Sequence, residues 1–151
     1  MSTPTTDAVP TPVLASPDDA EPGLALPERR FTLHRADLVR YAGASGDFNP
    51  IHYDERAADS VGLPGVIAHG MLTMGLAATA VTGWCGPWAR VAEYETRFAR
   101  PVVVPPGEGV DLVVSGRVDA VSADGIRVTV TAVCGGERVL ARARALVVVD
   151  R

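Results

Sequence analysis

The residues best suited to chemistry lie close together. An aspartate, Asp47, and a histidine, His52, stand five positions apart within Ser45-Gly46-Asp47-Phe48-Asn49-Pro50-Ile51-His52. A carboxylate and an imidazole make an acid/base pair, and histidine titrates near neutrality, so it can serve as a base without a large shift. The glycine and proline content of the segment rules out a continuous helix, so the two side chains converge only across a turn. Pro50 pushes Asn49 out of the helical region and fixes its own φ near the helical value. Asn49 can therefore cap, and Pro50 open, a short helix that carries His52. Asn49 and Pro50 are in this reading the structural support of the pair. An aspartate acting as the acid of the pair would have to be buried.

A second cluster, Gly65-Val66-Ile67-Ala68-His69-Gly70-Met71, feeds an apolar run that continues to Val81. The run predicts a helix that is apolar nearly all round and hence buried, with Gly83 and Gly86 as stop signals. Glycines at its start would let a ligand approach backbone N–H groups that lack a helical partner, where the helix dipole is positive; that suits an oxyanion. His69 reads as a structural residue beside the helix start and, with Met71, as a candidate substrate contact.

The elements that must position these groups follow from the rest of the chain. At 151 residues with 47% apolar content it is one domain with a real core. Residues 1–23, rich in Thr, Pro, Ala, Ser and Asp, are expected to form a flexible tail, and 24–151 the folded domain. Arg29 to Leu33 is a strand candidate. Arg35 to Ala44 has helical spacing, with Leu38, Tyr41 and Ala42 on one face, and delivers the chain into the Asp47 turn. A short polar helix is expected from Asp54 to Ser60, and a loop with two packing tryptophans from Trp84 to Trp88.

Beyond Arg90 the period changes to that of strands: Val91 to Ala99, Val110 to Ala120, Ile126 to Cys134 and Arg138 to Val149. Asp124-Gly125 and Gly135-Gly136 between the last three are hairpin signals. In the last strand Arg138, Leu140, Arg142 and Arg144 alternate with Val139, Ala141, Ala143 and Ala145, a solvated face and a face of small residues for the helix. The fold class is α+β, a curved antiparallel sheet of about five strands wrapped around one apolar helix. A single sheet leaves an edge and apolar surface uncovered, so dimerisation is expected.

Composition excludes several classes. The net charge of −4 gives no basic field for nucleic acid. The apolar run within Val66 to Val81 is too short and too interrupted for membrane insertion. The start, Met1 to Asp7, has neither the basic nor the apolar region of a secretory signal. Cys85 and Cys134 stand far apart with no metal spacing around them, so a cytoplasmic protein with free thiols and neither metal nor other cofactor is expected.

The stretch Tyr41-Ala-Gly-Ala-Ser-Gly-Asp-Phe-Asn-Pro-Ile-His52, with Ala58 following at the usual interval, resembles the hydratase-2 motif of MaoC-like enzymes. The likeness extends through Ala68-His69-Gly70-Met71-Leu72-Thr73-Met74-Gly75 and covers roughly Leu24 to Val149. It implies the hotdog fold and the interconversion of (3R)-hydroxyacyl and trans-2-enoyl thioesters, with Asp47 and His52 catalytic and the Gly70 N–H on the thioester oxygen. Within the family the chain is most similar to the catalytic subunit of mycobacterial-type (3R)-hydroxyacyl-ACP dehydratases. That implies an acyl-ACP or acyl-CoA substrate in fatty-acid or polyketide elongation and a second hotdog subunit as partner. A self-sufficient homodimeric enoyl-CoA hydratase is the alternative in the same class. A non-catalytic subunit that shapes an acyl tunnel is the alternative from another class, and retention of both Asp47 and His52 argues against it. Where some homodimeric members carry a further hydroxyl on the helix, this chain has Ala77 and Ala78. Arg97, Arg100, Arg142 and Arg144 read either as a landing patch for an acidic carrier or a phosphate, or as a solvated strand face; the second is favoured.

Overall fold

The computed structural model describes residues 11–149. After a 3₁₀ turn at Pro17–Asp19, the elements are β1 (Ala25–Leu33), α1 (Arg35–Ser45), a 3₁₀ turn at Pro50–His52, α2 (Glu55–Ser60), α3 (Gly70–Trp84), β2 (Ala89–Phe98), β3 (Val110–Ser122), β4 (Gly125–Cys134) and β5 (Glu137–Val149). The strands form one sheet in the order β1-β3-β4-β5-β2, and every neighbouring pair is antiparallel.

The meander β3-β4-β5 forms where the turn residues direct it. Gly135 and Gly136 both take positive φ, 58° and 79°, the pair of values a two-residue turn needs if its twist is to match the strands it joins. β1 crosses over to pair with β3, and β2 with β5, so the two edge strands come from opposite sides of α3 in the chain.

Strict alternation in β5 fails around Leu140, where the register with β4 shifts on both sides, at Leu140–Ala143 and at Arg138–Leu140. Between Leu140 and Ala143 this strand advances three residues while β4 advances two, Val130 to Ala132, and Arg142 takes a left-handed φ of 52°. The extra residue is a bulge. It turns Leu140 into the core beside Val139, at 1% and 2% exposed, instead of leaving it with the arginines.

α3 corrects a second expectation. It buries Thr73, Ala77, Ala80, Val81 and Trp84, but Met71, Gly75, Thr79 and Thr82 are exposed. One sheet can cover only one side of a helix, so apolar composition all round does not mean burial all round within a single chain. The helix also runs through Gly83 and ends at Trp84.

The expected tail behaves as two parts. Residues 1–10 lie outside the described residues. Within residues 13–24 Leu14 is fully buried and bridged to Cys85, while its neighbours are exposed or half-buried. Leu14 N–H donates to Trp84 O (2.8 Å), its carbonyl accepts from Gly86 N–H (3.0 Å) and from Trp88 Nε1 (3.0 Å), and Gly23 N–H donates to Val118 O (2.7 Å). A single leucine with its backbone paired on both sides suffices to seat a segment whose composition reads as disordered.

Candidate active site

Three short pieces of chain meet at the N-terminal end of α3. The first is the Asp47 turn. Gly46 closes α1 in the left-handed conformation (φ 76°), its N–H donating to Ala42 O, which swings the chain out of the helix. The Asp47 N–H donates to Ser45 Oγ (3.2 Å), Asp47 Oδ1 accepts the Asn49 N–H (3.2 Å), and Asn49 Oδ1 accepts the Ile51 N–H (3.3 Å). These are successive side-chain turns, and the last caps the 3₁₀ turn that Pro50 opens and His52 ends. The Tyr53 hydroxyl donates to Phe48 O (2.9 Å), which closes the loop.

The second piece is Val66–Ala68. Ala68 N–H donates to Val102 O (2.8 Å) and Val104 N–H to Val66 O (2.9 Å), a short ladder against Val102–Val104. Backbone groups alternate sides along an extended segment, so those of Ile67 face the other way. Its N–H donates to Ile51 O (3.3 Å) and its carbonyl accepts from His52 Nδ1–H (2.8 Å). A carbonyl can only accept, so Nδ1 carries the proton and Nε2 is left with a free lone pair. That Nε2 lies 3.9 Å from Asp47 Oδ2. Two atoms at that separation can both reach one oxygen or carbon-bound hydrogen lying between them and the solvent. His52 is 7% exposed, whereas the Asp47 side chain is 53% exposed, so the burial required of an aspartate acting as acid is not supplied by this chain alone.

The third piece is His69-Gly70. His69, 2% exposed, lies face to face with His52, ring centroids 3.7 Å apart and planes 22° from parallel, and Tyr41 of α1 tilts against it at 4.8 Å. Its Nε2–H donates to the main-chain carbonyl of Asp47 (3.1 Å), and its Nδ1 is buried without a partner. Gly70 is the first residue of α3, so its N–H has no acceptor inside the helix and stands at the positive end of the dipole. The Phe98 ring lies against Gly70 so closely that a Cβ there would meet it at 3.1 Å.

From Gly70 a cleft of about 290 Å³ opens between α3 and the chain leaving β2. Ile67, Ala68, Thr73, Phe98, Pro101, Val102, Val139 and Leu140 make its walls apolar, with Arg100 at the rim, paired with Glu137 (3.3 Å). Met71 is 58% exposed on the open face of the helix. The four arginines do not line a common hollow, and Arg97 pairs opposite Ala141, beside the bulge. Arg100 lines this cleft, Arg144 lines a different hollow with Glu93, Glu95 and Asp119, and Arg142 occupies the bulge.

Asp47, His52 and His69 have potential ligand atoms within 4.8 Å of one another. They make a poor metal cage. His52 Nδ1 and His69 Nε2 are engaged by carbonyls, and near-parallel rings a stacking distance apart cannot both direct in-plane lone pairs at one ion about 2.0–2.1 Å away. Sequence reasoning brought Asp47, His52 and Gly70 to this end of the helix but missed the stack of His69 on His52, the Ile67 carbonyl and the Phe98 ring. The alternation of Val66, Ile67 and Ala68 was the signal available for the second of these. The other two depend on contacts distant in sequence.

An antiparallel five-stranded sheet against one helix is the architecture of the hotdog fold. The MaoC-like domain model matches residues 20–136, and the chain belongs to that family. Among curated relatives, 3-hydroxyacyl-thioester dehydratase X of Mycobacterium tuberculosis is 38% identical over 93 residues, 62% of this chain and 32% of that protein. The (R)-specific enoyl-CoA hydratase of Rhodospirillum rubrum is 33% identical over 88 residues, 58% of this chain and 61% of that protein. Among solved structures, a MaoC-like dehydratase superposes with a TM-score of 0.84 at 40% identity, over 92% of this chain and 43% of the other. The chain thus spans about a third of the mycobacterial relative and less than half of that structure. The R-hydratase PhaJ1 of Pseudomonas aeruginosa, matched over 89% of this chain and 85% of its own, gives a TM-score of 0.78 at 28% identity.

Proposed function

We propose that the chain is a hydro-lyase that interconverts (3R)-hydroxyacyl and trans-2-enoyl thioesters carried on an acyl carrier protein or coenzyme A. The observation that carries the proposal is the geometry of His52. Its Nδ1 lies 2.8 Å from the Ile67 carbonyl, an acceptor that favours a proton on that nitrogen, and its Nε2 lies 3.9 Å from Asp47 Oδ2.

In the dehydration direction Nε2 of His52 removes a proton from C2, the C2=C3 double bond forms as the C3–O bond breaks, and the Asp47 carboxyl gives a proton to the departing hydroxyl so that it leaves as water. In the hydration direction the Asp47 carboxylate takes a proton from the water that adds to C3, and Nε2–H of His52 returns a proton to C2. Charge that grows on the thioester oxygen meets the Gly70 N–H at the start of α3, a donor whose contribution in comparable sites is about 10²- to 10³-fold. The apolar cleft beside Gly70 suits a hydrocarbon chain, and its position against the helix start would hold the thioester where that N–H points.

A second hotdog subunit completes the proposal. Phe48, Met71 and Phe98 are 61%, 58% and 51% exposed around the site, and Asp47 is half in solvent, an arrangement that a covering subunit would bury. In the preferred form the partner is a related subunit and the setting is cytoplasmic fatty-acid or polyketide elongation. The test is hydration of crotonyl-CoA by the purified chain, followed by loss of enoyl-thioester absorbance, in wild type, Asp47→Asn and His52→Ala. Turnover without a partner, lost in both variants, would establish the homodimeric form. Turnover only after a second hotdog subunit is added would establish the heterodimer. Activity unchanged in both variants would overturn the catalytic reading.

A further inference from the structure

His69 is not required by the reaction just described, yet it touches both halves of the dyad. Its Nε2–H holds the main-chain carbonyl of Asp47 at 3.1 Å, while its ring lies 3.7 Å from that of His52 and only 22° from parallel. The side chain is 2% exposed and backed by Tyr41. It is also held in one tautomer. The Asp47 carbonyl can only accept, so the proton sits on Nε2 and the buried Nδ1 is left as an acceptor without a donor. A side chain present only to fill space would do better as an apolar ring, since an unpaired buried polar atom is a cost. What a histidine adds is a donor at one edge and a flat face, and both are in use.

We propose, on the basis of the dyad reading above, that His69 is a positioning residue that sets the distance between Asp47 and His52 by gripping each of them. The grip on Asp47 is through the backbone, so it fixes where the turn lies and leaves the carboxylate free. The grip on His52 is through the ring face, so it fixes the plane in which Nε2 points and keeps Nδ1 aimed at the Ile67 carbonyl. Displacement of either group by about 1 Å is enough to cost on the order of 10²-fold in rate.

Two substitutions in the full chain separate the two grips. His69→Phe keeps the face and loses the donor; His69→Gln keeps an N–H and loses the face. Both are checked for folding by thermal unfolding, and read by kcat, by KM and by the ¹⁵N signals of the His52 ring. Wild type is expected to show His52 in the single tautomer protonated at Nδ1. His69→Gln is expected to lower kcat about 10-fold or more with KM within about twofold, and to bring tautomer averaging at His52. His69→Phe is expected to lower kcat similarly while the His52 signals keep their wild-type pattern. Folded variants with wild-type kcat and unchanged His52 signals would overturn the proposal, as would a loss confined to KM, which would make His69 a substrate contact. A wild-type chain that hydrates no enoyl thioester, alone or with a second hotdog subunit, would refute the reaction instead, and the His52 tautomer in the two variants would still decide whether His69 positions it.

Discussion

The two ends of α3 are built on opposite principles. At its C-terminal end Trp84 is 1% exposed, with Nε1–H donating to Pro27 O (2.9 Å), and Trp88 does the same to Leu14 O (3.0 Å). Both indole N–H groups there are satisfied, although Arg29 Nη1, which lies against Gly83, is buried without a hydrogen-bond partner among the described residues. At its N-terminal end the Gly70 N–H has no helical acceptor, His69 Nδ1 has no partner, and Asp47, Met71 and Phe98 stand half in solvent. The same helix is anchored where it is sealed and left incomplete where it is open. Unsatisfied donors and acceptors lower stability, so they persist where something else is to meet them.

Substitutions at each end should move different observables. The largest effect is expected from Trp84→Ala, which leaves a cavity and strips the Pro27 carbonyl of its donor. The loss should be about 3–5 kcal/mol by urea unfolding, with kcat per folded molecule nearly unchanged. Asp47→Asn should do the reverse. It should cost at least about 10²-fold in kcat, about 2.7 kcal/mol of barrier, with the unfolding midpoint nearly that of wild type. If Trp84→Ala altered kcat as strongly as stability, the division between the two ends would be broken. Gly70→Ala should be milder. Its Cβ would press on Phe98, a half-exposed ring able to yield, so stability should change little, while kcat/KM should fall about 10-fold as the donor is crowded.

The smallest effect is a pH dependence at the sealed end. Burial pushes the Cys85 thiol from 9.0 up to about 11. A group raised in this way contributes stability that is fully present below pH 9 and is lost as pH rises through about 11. Unfolding midpoints should therefore decline in that window, and Cys85→Ala should flatten the decline. Because burial also raises Tyr94, to about 12, and Cys134 too, the difference between wild type and Cys85→Ala is the quantity to measure.

The local geometry of the Asp47 turn was more legible in the sequence than the shape of the surface. Asp47, Asn49, Pro50 and His52 form one local unit, in which side-chain turns and a proline act over two or three residues, so residue type alone describes most of it. The hairpin glycines are local in the same sense. What was not legible depends on partners far along the chain. The seating of Leu14 requires Cys85 and Trp88, the open face of α3 reflects how much helix one sheet can cover, and the Arg142 bulge is a matter of register with β2 and β4. The histidine stack belongs here too, since nothing in the spacing of His52 and His69 distinguishes rings that meet from rings that pass.

The Leu14 clasp bears on how this protein can be shortened. A fragment begun at Leu24, where composition first looks ordered, would lack the residue that fills the space beside Cys85 and the carbonyl that receives the Trp88 indole. It would keep Asp47, His52 and Gly70 and yet expose the greasy foot of its main helix, a recipe for clumping during purification that an investigator could mistake for loss of function.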